Sequence, residues 1–471
     1  MRPMSNTPAS PVGEGAKLGA PKALVLGLQH MFAMFGATVT VPLITGLDIG
    51  TTLLMAGAGT LLFHLITGGK VPAFLGSSFA FLGGYAAVTV FADVPGGDAV
   101  LHKELLPYAC LGVACSGLVY LVLAAAIKAF GVKRVMRCFP PIVTGPIIIA
   151  IGLGLAPVAV GSCKANWTLA LVALVVIGVC NIWGKGMVKI VPILIGLAVS
   201  YVVACFMKVP VLDGAGVQVV EDGVAQCKPL IDFAAVKSAA WIGFPVQKAQ
   251  TILGVDFANG AQIWSAIIAI VPIALATIME HIGDISAISS TVGKDFIKDP
   301  GLHRTLTGDG LATTFASLFG GPANTTYGEN TGVLALSRVF NPVVVRIAAV
   351  FAILLSFCPK FAALIATIPG PIVGGISFVL YGMISAVGIR NLVENHVDFS
   401  KSRNLIIAAV ILVTALGGVT LPISVGRFHA TLTPLALASL AGIVLNAIFP
   451  AGDYAARAKE DEPPKGNTFE V

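Results

Sequence analysis

The sequence is short of charge. Of its 471 residues only 11% are Asp, Glu, Lys or Arg, against about 25% in a soluble domain. Hydrophobic residues make up 56% and mean hydropathy is +0.92. A water-soluble globule is excluded and an integral membrane protein is implied. Cysteine is scattered, at positions 110, 115, 138, 163, 180, 205, 227 and 358, mostly within apolar runs. These cysteines have neither metal-ligand spacing nor a disulfide framework, and read as small buried hydrophobes. The N-terminal MRPMSNTPASPVGEGAKLGAPK lacks the apolar stretch of a cleavable signal. The final ARAKEDEPPKGNTFEV is equally polar and reads as a disordered tail. No nucleophile–base set and no metal motif stand out, so neither an enzyme nor a cofactor is expected, and no nucleic-acid partner.

Long apolar runs fill what remains. A bilayer-spanning helix needs about 20 mainly apolar residues. Candidate spans begin near Leu24, Thr51, Val71, Leu105, Phe139, Trp167, Val188, Trp264, Gly308, Thr325, Val343, Pro371, Leu405 and Thr431. That makes about fourteen. The third (VPAFLGSSFAFLGGYAAV) and the tenth (NTTYGENTGVLALSR) are poor spans, short or interrupted by polar residues and glycine. With a cytoplasmic N-terminus, roughly 21 of the 29 Lys and Arg fall inside, as the positive-inside rule requires. Dropping one span would invert everything downstream and spoil that asymmetry. The reading is a multi-pass protein of the cytoplasmic membrane with both termini inside.

This divides the chain into a tail (1–22), a first seven-span repeat (23–208), an external connection (209–262), a second seven-span repeat (263–450) and a second tail (451–471). Each repeat has its weak span third. The two weak spans resemble one another: VPAFLGSSFAF at 71–81 and GPANTTYGENT at 321–331 share a Pro-Ala start, paired hydroxyls and an aromatic. Gln29-His30 in span one is likewise placed like Glu280-His281 in span eight. Because seven is odd, the second repeat enters the membrane inverted. Interrupted segments at matching places of inverted halves point to a transporter's midplane binding site.

Ionisable side chains inside a membrane are expensive and mark function by default. Span eight, ATIMEHIGDISAISS, puts Glu280 and Asp284 at i and i+4 on one helix face. Two carboxylates there repel if both ionise, so at least one should hold a proton near neutrality, as a proton-coupled carrier needs. His281 points to another face and reads as packing as readily as function. Span ten supplies Glu329 flanked by Gly328, Asn330 and Gly332; glycine lets backbone approach a ligand, and unwound backbone exposes amide donors. Span three supplies Phe79 as an aromatic wall, with Ser77 and Ser78 helping to satisfy the break. His30 can be buried neutral and can relay or stabilise a proton. Asp309, near the cytoplasmic start of span nine, fits either a helix N-cap or proton handling. Together these groups suit a flat neutral ligand with alternating N–H and C=O groups. The cation cluster expected for phosphorylated substrates is missing.

The strings LQHMFAMFGATVTVP, KVPAFLGSSFAF, EHIGD, GLHRTLTGDGLATTFASLFGGPANTTYGENTGVLALSRV and PIVGGISFVLYG resemble the uracil-carrying bacterial branch of the nucleobase–ascorbate transporter family, over about residues 23–450. The resemblance implies an all-α polytopic fold of fourteen segments as a 7+7 inverted repeat, with short strands in segments 3 and 10. A core domain (spans 1–4 and 8–11) would face a gate domain (spans 5–7 and 12–14), with the nucleobase between them. It further implies that Glu280 and Glu329 hydrogen-bond the pyrimidine, that Phe79 and Gly328 give wall and backbone contacts, and that Tyr327 adjoins the site. His30 would support the protonated state, and Ser377 and Tyr381 would mark the gate side. Asp284 stands where certain members have histidine and Asp309 where some have asparagine. Purine carriers often have acids at both, whereas the Gly-Glu-Asn of span ten resembles the uracil type. The departure makes Asp284 and Asp309 proton-handling candidates beside Glu280 and His30. Expected partners are uracil, protons, the lipid bilayer and a second copy of the chain. A xanthine or urate permease is the alternative within the class, and an anion transporter or channel of the same fold the alternative outside it.

Overall fold

The computed structural model describes residues 19–91, 100–137, 139–210, 220–221, 224–425 and 428–449. The chain begins with α1 (Ala20–Thr45), α2 (Ile49–Ile66), β1 (Leu75–Ser77), α3 (Leu82–Thr89), β2 (Val90–Phe91), β3 (Val100–Leu101) and α4 (Leu106–Phe130). Next come α5 (Val132–Met136), α6 (Pro141–Gly154), α7 (Ala156–Cys163), α8 (Trp167–Trp183), α9 (Met187–Ile190) and α10 (Pro192–Cys205). The connection holds β4 (Lys208–Pro210), β5 (Val220–Glu221), β6 (Val224–Ala225), β7 (Cys227–Pro229) and α11 (Ala234–Ser238). The second half starts with α12 (Gly260–Ile270), α13 (Ala274–Val292), α14 (Leu302–Leu318), β8 (Asn324–Thr326), α15 (Gly328–Ser337) and α16 (Pro342–Ser356). It ends with α17 (Pro359–Ala366), α18 (Gly370–Glu394), α19 (Ser402–Leu416), β9 (Leu421–Val425), β10 (Phe428–Leu432) and α20 (Pro434–Ile448).

Six helical stretches, 20–45, 49–66, 103–130, 141–163, 260–292 and 370–394, are long and apolar enough to cross a bilayer. α16 and α17 pass that test only together and bend by 87° between them. α8, α10, α19 and α20 are shorter apolar helices. The chain is a multi-pass membrane protein. Local sequence sets the helix starts. Asp48, Asn166, Asn341 and Thr433 cap α2, α8, α16 and α20 with side-chain oxygens. Proline stands in the first turn of α4, α6, α10 and α18, where its missing N–H costs nothing.

The helices form two packing groups. In the first, α4 runs along α14 and α12, and α16 along α2 and α1. In the second, α18 packs on α6 and α8, α8 on α10, and α19 on α6 and α20. Close approach in the first group uses small residues. A Cβ added to Gly117 of α4 would lie 2.5 Å from Gly310 O of α14, and one added to Gly310 would lie 2.6 Å from Gly117 O. Such pairs let backbones meet where lipid supplies no hydrophobic drive.

β1 and β8 pair antiparallel, with Leu75, Gly76 and Ser77 opposite Thr326, Thr325 and Asn324, so the third and tenth segments do contain strands. Four further two-stranded pairs occur among the described residues, β2–β3, β4–β7, β5–β6 and β9–β10. All four lie in connections. Chain reversals too short for a helix leave backbone groups open, and an antiparallel pair satisfies them. The 209–262 connection also packs down on the helices. Thr51 Oγ1 donates to Pro245 O at 2.6 Å, and Gln250 bridges Asp48 N (2.9 Å) and Gly46 O (3.2 Å). Cys110, Cys163 and Cys180 are buried as expected, but Cys205 and Cys227 are exposed; Cys138 and the greater part of both tails lie outside the described residues.

Candidate substrate-binding site

Two broken segments cross at the centre of the first packing group. Beyond the paired residues the ladder continues, with Tyr327 N donating to Phe74 O (3.0 Å) and Ser78 N to Ala323 O (2.9 Å). Antiparallel alternation then turns the backbone of Leu75 and Ser77, and of Asn324 and Thr326, away from the partner strand. A two-stranded ribbon inside a membrane has no water to satisfy those edges. Helix hydroxyls do so here. Thr60 of α2 accepts from Leu75 N (2.9 Å) and donates to Leu75 O (3.1 Å). On the other edge Thr313 of α14 donates to Asn324 O at 2.7 Å, and Asn324 Nδ2 donates to Met55 O at 3.0 Å. Ser77 Oγ donates to Thr38 O at 3.2 Å.

From each strand the chain turns into a short helix, α3 or α15. Helix geometry leaves the first N–H groups of α15, beginning at Gly328, without partners inside the helix. A helix start also carries partial positive charge. Gly328 is exposed between buried Tyr327 and buried Asn330, and a Cβ there would meet nothing within 4 Å. The α15 start therefore faces open space. Phe79, buried beyond β1, sets its ring edge-on to Tyr381 of α18, with centroids 5.7 Å apart at 75°. This contact joins the two packing groups. Ser377 Oγ and Tyr381 Oη, one turn apart and both buried, make no well-formed hydrogen bond among the described residues.

Tyr327 has a firmer structural part than the sequence suggests. Its Oη donates to Ser77 O at 3.0 Å and accepts from Thr38 Oγ1 at 3.3 Å. Its ring lies over Gly76, where a Cβ would come within 2.5 Å of ring carbons. Asn330 Nδ2 sits 3.2 Å from His30 O and 3.1 Å from His30 Nδ1. A carbonyl only accepts, so the amide nitrogen donates there, and His30 Nδ1 on the same nitrogen is also an acceptor. His30 in this structure is thus the neutral tautomer protonated on Nε2. Asp284 Oδ2 accepts from Thr326 Oγ1 at 2.8 Å, which fastens α13 to β8. Glu280 is half-buried on α13.

The sequence profile described as "Permease family" matches residues 21–424. The chain belongs to this permease family. It is 41% identical to a protein of Bacillus caldolyticus named "Uracil permease" over 444 residues, 92% of this chain and 93% of that one. It is 38% identical to the "Putative pyrimidine permease RutG" of Escherichia coli (strain K12), covering 94% of this chain and 93% of that one. Among solved structures, the transmembrane domain of the cyanobacterial bicarbonate transporter BicA superposes with TM-score 0.58 at 15% identity, covering 90% of this chain and 96% of that one. SLC26A9 gives 0.58 at 13% identity, covering 90% of this chain and 64% of that one. At such identities the likeness is one of fold.

The permease brings Phe79, Gly328, Tyr327, His30, Glu280 and Asp284 to the crossing or to the helices packed on it. The Glu329 backbone lies in the first turn of α15; its side chain lies outside the described residues. Asp309 corrects one expectation. It is interior to α14 and fully buried, so it cannot be an N-cap, and α14 instead starts at Leu302. Its Oδ2 is 3.0 Å from Nδ1 of His281, which is also fully buried. His281 therefore has a polar partner, and the Phe63 ring packs edge-on to it at 6.4 Å. Tyr120 of α4 closes this cluster, donating to Thr277 Oγ1 at 2.6 Å. Thr60, Thr313, Thr326, Asn330 and Tyr120 carry no signal of their own in an apolar sequence. Only Asn330, adjoining Glu329, and Thr326, adjoining Tyr327, stood near a marked position.

Proposed function

We propose that this chain carries uracil into the cell together with protons, by alternating access, in the cytoplasmic membrane with both termini inside. The observation that carries the reading is the crossing of β1 and β8, with the open α15 start beside it and Phe79 set against Tyr381 of the other packing group. The curated relatives named as uracil or pyrimidine permeases at 38–41% identity supply the substrate. In this reading the first packing group is the core and the second the gate. Supporting the inverted repeat, helix contacts come in matched sets: α2–α16 with α14–α4, α1–α16 with α12–α4, α8–α18 with α19–α6, and α8–α10 with α19–α20. Each member of a set lies seven segments from its counterpart.

Uracil would stack against Phe79, accept from N–H groups at the α15 start, and donate to Glu280 and Glu329. A proton on Glu280, or on Asp284, Asp309 or His30, would neutralise the pocket before the core moves against the gate. Two copies of the chain would assemble as a homodimer. The test is equilibrium binding of a nucleobase panel to purified protein, with Glu329→Gln alongside. Uracil should bind tightest and the variant should lose high-affinity binding while keeping its fold. Xanthine binding as tightly as uracil, or unchanged uracil affinity in the variant, would count against the reading.

A further inference from the structure

Where α4 ends, the chain turns through Gly131 (φ +83°), a backbone shape suited to glycine, into α5. A cavity of about 630 Å³ opens around this turn, lined by Phe130, Gly131, Val132, Arg134 and Arg137. Its chemistry is one-sided. Arg134 and Arg137 are exposed, and among the described residues no carboxylate lies within ion-pair distance of either. Nor does nearby sequence offer one, since no Asp or Glu occurs from residue 105 to 212. The rim is apolar, with Phe130 62% exposed.

The turn also joins the two packing groups. Its start continues α4. Its end is fastened by Asn446 Nδ2 of α20, which donates to Arg137 O at 3.3 Å. Arg403 of α19 donates in turn to Asn446 Oδ1 at 2.8 Å. Two guanidinium groups with no carboxylate partner among the described residues, lining one cavity with an exposed phenyl ring, match a phosphodiester anion that carries acyl chains. Arginine forks fit phosphate oxygens two at a time, and the ring offers the chains a surface. A soluble phosphate would use the cations and leave the ring idle.

We propose that the α4–α5 turn binds the phosphodiester headgroup of an anionic membrane lipid, in the leaflet at the cation-rich end of the molecule. The bound lipid spans the junction between the two packing groups. Only the naming of that leaflet as cytoplasmic rests on the orientation proposed above.

The experiment is native mass spectrometry and thermal unfolding of purified protein, titrated with phosphatidylglycerol or with phosphatidylcholine. Wild type should retain phosphatidylglycerol in preference and be stabilised by it. R134Q/R137Q should bind it roughly thirty-fold more weakly, at the usual worth of two cations near an anionic surface, while matching wild type in phosphatidylcholine. R134K/R137K, which keeps charge and loses the fork, should fall between them and serves if the first variant folds poorly. K185Q/K189Q should bind as wild type does. Equal phosphatidylglycerol binding by wild type and R134Q/R137Q would overturn the proposal, as would an equal loss in K185Q/K189Q. Stabilisation by glycerol phosphate as large as by phosphatidylglycerol would make it a soluble-anion site and overturn it too. None of these readouts needs uracil, so failure of the transport reading would leave them standing.

Discussion

Replacing Thr60 by valine keeps the side chain's shape and deletes one oxygen. That oxygen is the acceptor for Leu75 N at 2.9 Å and shares its proton between Leu75 O and Ala56 O. Valine leaves the Leu75 N–H buried at membrane depth with no water to replace the bond. An orphaned buried donor costs about 1–3 kcal/mol, so the native population relative to unfolded should fall by roughly thirty-fold at the middle of that range. Thr60→Ser, which keeps the hydroxyl, should lose much less. Thr313→Val removes only a donor to Asn324 O, and a carbonyl tolerates an empty lone pair better than an N–H tolerates no acceptor; its loss should be the smaller. The assay is equilibrium unfolding of purified protein in mixed micelles, paired with uracil binding, because β1 leads directly to Phe79. If Thr60→Val matches wild type in both while Thr60→Ser does not, the hydroxyl is not what holds the broken strand.

Other consequences follow from single contacts. Asp309→Leu should destabilise by about 1–3 kcal/mol, because it leaves a buried His281 nitrogen without its polar partner, and His281→Leu/Asp309→Leu should recover much of this in the same unfolding assay. Gly76→Ala forces a methyl group into the Tyr327 ring, so uracil uptake in cells should collapse; normal uptake would remove Tyr327 from its place over β1. Asn330→Ala should weaken uracil binding by disturbing His30, and nitrogen NMR of labelled His30 should report Nε2 protonation in wild type; an Nδ1-protonated ring would contradict the assigned tautomer. Lys70→Gln should change stability by less than about 1 kcal/mol, since its ion pair with Asp299 is largely exposed.

The membrane class, the two weak segments and most helix positions were legible because hydrophobic run length and cation placement are read along the chain. Phe79, Glu280, Gly328 and Glu329 stand out in the sequence because a charge, a glycine or an aromatic in a polar break is conspicuous. What stayed hidden depends on partners far apart in sequence. Thr60 and Thr313 look like ordinary threonines in apolar helices until the strand edges they satisfy are placed beside them. His281 reads as packing as readily as function because Asp309 is 28 positions on in sequence yet 3.0 Å away in space. Asp309 invited a cap reading because the polar GLHRTLTGD run resembles a loop, but Gly308 packs on Phe63 of α2 while Thr305 and Thr307 bond back to their own helix. The short strand pairs of the connections leave no hydrophobic signature at all.

Uptake of labelled uracil into vesicles holding only this protein tests the central claim most directly. An inward proton gradient should raise the rate, an uncoupler should abolish the increase, and excess xanthine should compete far less than excess uracil. Uracil entry at the same rate with and without the gradient, or no entry at all, would contradict the account.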